Sequence, residues 1–319
     1  MRLALLATLA ATTTATDVLL PLYQYPTSSG SAWAPIETAL AANPSVTATI
    51  IINPANGPGG PNQGIDDPNY EAGTKALAEH DNAQLIGYVH TSTDWGLTRC
   101  NVPWASITAD ILKWSTWVDR GVPIRGIFID EAPSNTANDC VNYMSNLTAF
   151  IRNPSLNFGG EDALVVFNPG GTGPALQTYY NMGPDLIVAL ETCFTVPAHA
   201  GESYDQCPQA GWYEQYDHNG PGSSISNVLF PAAGQANAAH TAVLVHGFHH
   251  FNGPSANLSA TQPVLQTLVN AVVQHGIGAT FFNTAGYHTF TDGPASFGAF
   301  MNALTTSSSS GKGNNFGVS

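Results

Sequence analysis

Short apolar runs rich in β-branched residues alternate with amphipathic stretches along the chain, and the alternation repeats eight times. The runs Val18–Tyr25, Thr47–Asn53, Gln84–His90, Gly126–Glu131, Ala163–Asn168, Asp185–Glu191, Ala242–His249 and Ala279–Asn283 predict strands. Several, such as Ile50-Ile51-Ile52 and Leu164-Val165-Val166-Phe167, are apolar at consecutive positions, as in a parallel sheet buried on both faces. Helical patterns lie between them at Trp33–Ala42, Tyr70–His80, Ile107–Asp119, Val141–Ile151, Pro263–His275 and Ser296–Leu304, many closed by Gly or a polar turn. Trp114 and Trp117, three apart, share a helix face and are expected in the core.

Eight strand-helix units over about 290 residues predict an α/β fold, a single-domain (β/α)8 TIM barrel. A doubly wound open sheet fits less well. No Gly-x-Gly-x-x-Gly follows the first strand, where the chain runs Tyr23-Gln24-Tyr25-Pro26. The sixth unit is irregular: a long connection from Thr192 to His240 carries Trp212, Tyr213 and Tyr216, and connections of that length usually have a function. The barrel is expected over 17–306 and a disordered Ser/Gly/Asn-rich tail over 307–319.

Charge narrows the partners. Only 9% of the 319 residues are charged, and 8 Lys+Arg against 22 Asp+Glu give a net charge of −14. Such a surface repels phosphate backbones and anionic lipid, so neither nucleic acid nor a membrane is an expected partner. The 43% hydrophobic content argues against disorder. Met1-Arg2 followed by the apolar run Leu3–Ala11 and small residues reads as a secretory signal peptide over 1–16, so a secreted protein is expected, extracellular or in the cell wall. Four cysteines suit an oxidising compartment, with the pairings Cys100 to Cys140 and Cys193 to Cys207 favoured. Asn146-Leu-Thr and Asn257-Leu-Ser are glycosylation sequons.

Barrel enzymes place their chemistry at the carboxyl ends of the strands. Here those ends are polar: Tyr23 and Tyr25, Asn53, Tyr88 and His90, Asp130-Glu131, Asn168, Glu191, His246 and His249, and Asn283. Three carboxylates on two apolar strands stand out in a chain with so little charge. Adjacent strand residues point to opposite faces, so Asp130 and Glu131 both face the axis end only if the chain has already turned there. Strands four and six contribute to the same interior layer, which would bring an acid of the first pair opposite Glu191, the arrangement of a glycosidase. The competing reading of Asp130 and Glu131 is an ordinary helix cap with a first-turn acid. Tyr23, Tyr25, Tyr88, Trp95, Trp212, Tyr213 and Tyr216 offer flat rings for sugar faces, and Asn53 and Asn168, each before Pro and Gly, can brace a turn and bind hydroxyls as well. The acids lack an EF-hand pattern and His246-Gly-Phe-His249-His250 is not His-Glu-x-x-His, so neither a metal nor a cofactor is expected.

The segments Leu19-Leu-Pro-Leu-Tyr-Gln-Tyr-Pro, Ile52-Asn-Pro-Ala-Asn-Gly-Pro-Gly, Asp67-Pro-Asn-Tyr, Ile86-Gly-Tyr-Val-His-Thr-Ser, Gly126-Ile-Phe-Ile-Asp-Glu-Ala-Pro and Phe167-Asn-Pro-Gly together resemble the spherulin-4-like family. The motifs run from about residue 18 to 191, with looser similarity to about 305. The resemblance implies a (β/α)8 glycoside hydrolase of family 135 that makes endo-acting cuts at α-1,4-linked N-acetylgalactosamine within galactosaminogalactan. The carboxyl spacing expected across one strand, ~5–6 Å, suits a retaining enzyme, and a monomer acting on a polysaccharide is expected. It maps the family's acidic trio onto Asp130, Glu131 and Glu191. Likeness to other α-glycosidase barrels implies Asp130 as nucleophile, Glu191 as acid/base and Glu131 as a positioning group. The loop Thr93–Cys100 and the long sixth loop depart from the family pattern. The alternatives are a non-catalytic wall or spore-coat carbohydrate-binding protein, or an α-galactosidase-like hydrolase of another α-glycan.

Overall fold

The computed structural model describes residues 15–94, 96–170, 175–194, 216, 224–225, 236–248, 260–287, 290–291, 293 and 295–311. Its eight apolar runs form β1 (Asp17–Leu22), β2 (Ala48–Ile52), β3 (Ala83–His90), β4 (Ile124–Asp130), β5 (Leu164–Phe167), β6 (Leu186–Cys193), β7 (Thr241–His246) and β8 (Ala279–Phe282). All neighbours are parallel and follow chain order, and β8 closes onto β1 through Asp17↔Ala279 and Val18↔Thr280. Every residue of β2, β7 and β8 is buried, as strands covered inside by the barrel core and outside by helices must be. The fold is a (β/α)8 TIM barrel.

The outer layer comprises α1 (Ala34–Ala42), α2 (Pro68–Ala78), α3 (Trp104–Asp119), α4 (Cys140–Ile151), the single turn α5 (Gln177–Tyr180), α6 (Gln262–Gln274) and α7 (Phe297–Gly311). The start of α2 carries a side-chain cap: Asp67 accepts from Asn69 N at 2.8 Å, with Pro68 just inside. The last helix runs beyond the expected barrel limit at 306. Ser307 is buried and folds its hydroxyl onto the Ala303 carbonyl (2.8 Å) and Asn270 Oδ1 (2.6 Å), so packing on α6 holds residues that composition alone marks as tail. Residues 312–319 lie outside the described part, as does the expected signal segment up to residue 14. Thr16 already belongs to the barrel, buried and bonded to the Ile277 carbonyl at 2.8 Å.

Two strands end earlier than their apolar patterns suggest. After Leu22 the backbone of Tyr23 bonds to Tyr287 O (3.1 Å) beyond β8 and leaves the ladder, and after His246 the chain turns through Gly247 at φ 62°. The reverse holds for β6, which continues two residues past Glu191 to Cys193, paired with His246 of β7. One expected disulfide, Cys100–Cys140, is present with a Cα–Cα distance of 5.6 Å. It ties the loop after β3 to the start of α4, a closure of 40 residues that the chain-entropy argument values at about 4 kcal/mol. Cys193 is also disulfide-bonded; its expected partner Cys207 lies outside the described residues.

Trp114 and Trp117 are fully buried with ring centroids 4.5 Å apart. Trp114 lies over β3, and its indole N–H donates to the Tyr88 carbonyl at 2.9 Å. Gly87 makes room for it: a Cβ there would stand 2.3 Å from the Trp114 ring. Gly87→Ala is expected to lower stability by about 1–3 kcal/mol through this overpacking, measured by urea unfolding.

Candidate active site

The carboxyl ends of β3 to β7 and the turn after β8 converge on one polar cluster. Asp130 ends β4, and Glu131 follows in the left-handed region at φ 52°. This turn settles the orientation question raised by the sequence, because the two acids no longer alternate as strand neighbours. Asp130 Oδ1 accepts from Glu131 N (2.9 Å) and from Asn168 Nδ2 (2.9 Å), while Oδ2 accepts from the Tyr88 hydroxyl at 2.7 Å. Glu191, 6% exposed, takes the same Asn168 Nδ2 on its Oε2 at 2.8 Å. One amide therefore donates to both carboxylates, and the bridged oxygens stand less than about 6 Å apart. The amide is oriented in turn, since Asn168 Oδ1 accepts from Gly170 N at 2.9 Å.

The far side of Glu191 is lined by His246 and Tyr287. Tyr287 donates to Glu191 Oε1 at 2.9 Å, His246 Nε2 lies 3.4 Å from the same oxygen, and the Tyr287 hydroxyl also meets His246 Nε2. Tyr23 stands between the walls, edge-on to Tyr88 (5.8 Å) and to Tyr287 (5.2 Å). On the β3 side, His90 Nδ1 contacts the Ser92 carbonyl at 2.6 Å and lies 3.5 Å from Glu131 Oε2.

These surroundings push the two central acids apart. Burial, helped by the negative charge of Glu191, raises Asp130 to about 6 against the lowering effect of its Tyr88 and Glu131 hydrogen bonds. Burial acts to raise Glu191 too, but the bond and charge of His246, with Asn168 and Tyr287, outweigh it and hold this carboxyl below its usual value. The bond to Glu131 lifts His90 above the ordinary imidazole value against the cost of burial. Tyr88 is raised by burial and by Asp130, so it remains a protonated donor. The surroundings thus set Asp130 above and Glu191 below the ordinary carboxyl values, a polarity opposite to the roles implied by likeness to other α-glycosidase barrels.

The sequence candidates divide into groups. Tyr23, Tyr88, His90, Asp130, Glu131, Asn168, Glu191 and His246 come together as described. Asn53 does not reach the carboxylates; its Oδ1 accepts from Gly57 N at 3.0 Å and braces its own turn. Asn283 is buried and donates to the Gly286 carbonyl, shaping the turn that carries Tyr287. Tyr25 stands away from the carboxylates at the start of α2. Trp95, Trp212, Tyr213 and His249 lie outside the described residues. Tyr216, expected to offer its ring to a sugar face, is instead buried, edge-to-face with Phe282. Tyr287 was not among the candidates, because it sits in a turn four residues beyond Asn283, where a survey of strand ends does not look. Among the described residues no cluster of three His, Cys, Asp or Glu is placed to hold a metal ion.

A carboxyl whose folded value is near 6, against an ordinary 3.8, binds its proton more tightly in the native state, so its ionisation lowers stability as pH rises. Asp130→Asn removes that cost. Asn fits the site, its Oδ1 accepting from Glu131 and Asn168 and its Nδ2 donating to Tyr88. The variant is expected to exceed the parent protein in urea-unfolding stability at pH 8 by on the order of 1–3 kcal/mol, the gain shrinking toward pH 4. A gain that does not change with pH would contradict the raised value.

Comparison with solved structures places this fold among similar barrels. The chain is similar to Aspergillus clavatus Sph3 in complex with GalNAc, with a TM-score of 0.62 and 22% identity over 92% of this chain and 98% of that one. It is also similar to a family GH18 chitinase from Cycas revoluta bound to allosamidin, at TM-score 0.53 and 11% identity over 92% of this chain and 99% of that one. A third likeness is to catalytic domain 2 of the Ostrinia furnacalis Group II chitinase, at TM-score 0.52 and 8% identity over 91% and 96%. At these identities the likeness shows the fold. No curated protein matches the sequence. The family comparison is decisive where these are not: residues 17–304 match Spherulin4, the spherulation-specific family 4, and the chain belongs to that family.

Proposed function

We propose that the protein is a secreted glycoside hydrolase that cleaves within α-1,4-linked chains of N-acetylgalactosamine and galactosamine, such as galactosaminogalactan. The observation that carries the reading is the pair Asp130 and Glu191, bridged by one amide in surroundings that raise the first carboxyl and lower the second. A protein that only bound carbohydrate would have no use for a donor and a carboxylate held face to face. Membership of the Spherulin4 family and the likeness to Sph3, which was solved with GalNAc, support the sugar class. The Cys100–Cys140 disulfide suits an extracellular setting.

The spacing of the pair fits retention, for which the two carboxyls stand ~5–5.5 Å apart, better than inversion at ~6.5–9.5 Å. Both hydrogen-bond donors on Asp130 Oδ1 are N–H groups that cannot reverse, so the proton resides on Oδ2 beside the Tyr88 hydroxyl. Asp130 gives that proton to the departing glycosidic oxygen as Glu191 attacks the anomeric carbon, breaking the C–O bond and forming a glycosyl-enzyme ester. Asp130, now ionised, deprotonates the water that releases the sugar. Glu131, set by His90 and partly open to solvent, holds the substrate.

Asp130→Asn and Glu191→Gln are each expected to cut oligosaccharide release from purified galactosaminogalactan by about 10²–10⁴-fold. Absence of any oligosaccharide release by the parent protein from hexosamine polymers would refute the enzyme reading. A substrate with an activated aryl leaving group separates the roles: it should restore glycosylation to Asp130→Asn and not to Glu191→Gln. The reverse pattern would return the nucleophile role to Asp130. The parent protein's kcat/KM should fall as pH rises through about 6, when Asp130 loses its proton.

A further inference from the structure

Away from the carboxylates, the exit of β1 is built with unusual care around an exposed ring. Tyr25 is 44% exposed, yet nothing about it is loose. Its hydroxyl donates to Asp67 Oδ2 at 2.8 Å and accepts from Asn69 Nδ2 at 2.7 Å. Its ring meets Tyr70 edge-on at 5.5 Å, and Tyr70 meets the buried Trp33 in the same way at 5.8 Å. The Trp33 indole donates to the Gln24 carbonyl at 2.9 Å, which fixes the residue just before Tyr25.

The turn that follows is strained. Thr27, Ser28, Ser29 and Gly30 have φ of 43°, 21°, 60° and 91°, four successive residues in a region that only glycine enters freely. Ser29 N is clamped to Asn69 Oδ1 at 2.7 Å. Gly30 lies so close to α2 that a Cβ on it would stand 2.7 Å from Gly73 Cα. Strain of this kind persists only where surrounding contacts over-determine it, and it concentrates at ligand clamps. The contacts here press the turn onto α2 and leave the Tyr25 ring open. A lone exposed aromatic is ordinary; one immobilised at its hydroxyl, its edge and its backbone has already lost the freedom that binding would otherwise cost.

Placement gives the ring a partner. In a parallel barrel the helix that follows a strand begins at the face where the strand ends, so the start of α2 lies on the same face as Asp130 and Glu191. Tyr88 and Tyr287 flank those acids, Tyr23 bridges the two tyrosines, and Tyr25 follows Tyr23 by two residues. We propose that Tyr25 is a sugar-stacking platform at the β1 side of the face that carries the acids, contacting a ring of the glycan chain remote from the bond that is cut. The proposal rests on the glycan reading above and adds a stacking contact remote from the cut bond, so that affinity increases with chain length toward Tyr25.

The test is calorimetric titration of the full chain carrying Glu191→Gln with α-1,4-linked galactosamine and N-acetylgalactosamine oligomers of increasing length. Affinity should rise with length, and Tyr25→Ala added to this background should reduce the ratio of long-chain to short-chain affinity by roughly 3- to 10-fold. Tyr25→Phe keeps the ring and should retain most of that ratio. A ratio unchanged in Tyr25→Ala would overturn the platform alone, as would an equal collapse in Tyr25→Ala and Tyr25→Phe, since the ring would then not be the agent. No binding at any length would overturn the substrate reading and the platform with it.

Discussion

Two carboxyl groups held by a single amide nitrogen repel each other if both are charged, and burial leaves little water to screen them. The rest of the site follows from how that conflict is resolved. Asn168 can reach both acids because it directly follows β5, the strand between β4 and β6, and the Gly170 backbone fixes which face of its amide does the reaching. The surroundings then break the symmetry. Asp130 receives neutral donors and keeps its proton to about 6, while Glu191 has His246 beside it and gives its proton up early. A closed parallel barrel suits this demand, because adjacent strand ends supply the two acids and their bridge from one rigid rim.

How far the sequence could be read depended on whether chemistry and backbone spoke through the same residues. The strands were legible because the runs are apolar on both faces, and the acids because a carboxylate ending such a run has few structural reasons to be there. Asn53 and Asn168 show the limit. Both precede Pro and Gly and both brace the turn after them, at Gly57 and Gly170 respectively. Only the position of β5 between the two acid-bearing strands turns the second into part of the site, and strand neighbourhood is a property of the closed barrel. Tyr287 was hidden for a related reason. Nothing local marks it; the turn beyond β8 swings it onto Glu191, and its carbonyl anchors the departing β1 through Tyr23 N.

Support for the proton on Asp130 extends out through the helical layer. Tyr88 positions its hydroxyl on Oδ2, its own carbonyl is held by Trp114 of α3, and Gly87 exists in a form that admits the indole. Core packing and the geometry of the carboxyl pair are therefore the same contact at this point of β3. The loop after β3 repeats the pattern: the Thr91 hydroxyl donates to the Glu131 carbonyl at 2.6 Å, and Cys100 nearby is tied to α4. That carbonyl belongs to the residue whose left-handed backbone frees Glu131 from strand alternation, so the loop holds the turn on which the third acid depends. A substitution that loosened this loop would misplace Glu131 before it disturbed Asp130 or Glu191, whose bridge is anchored one strand away on β5.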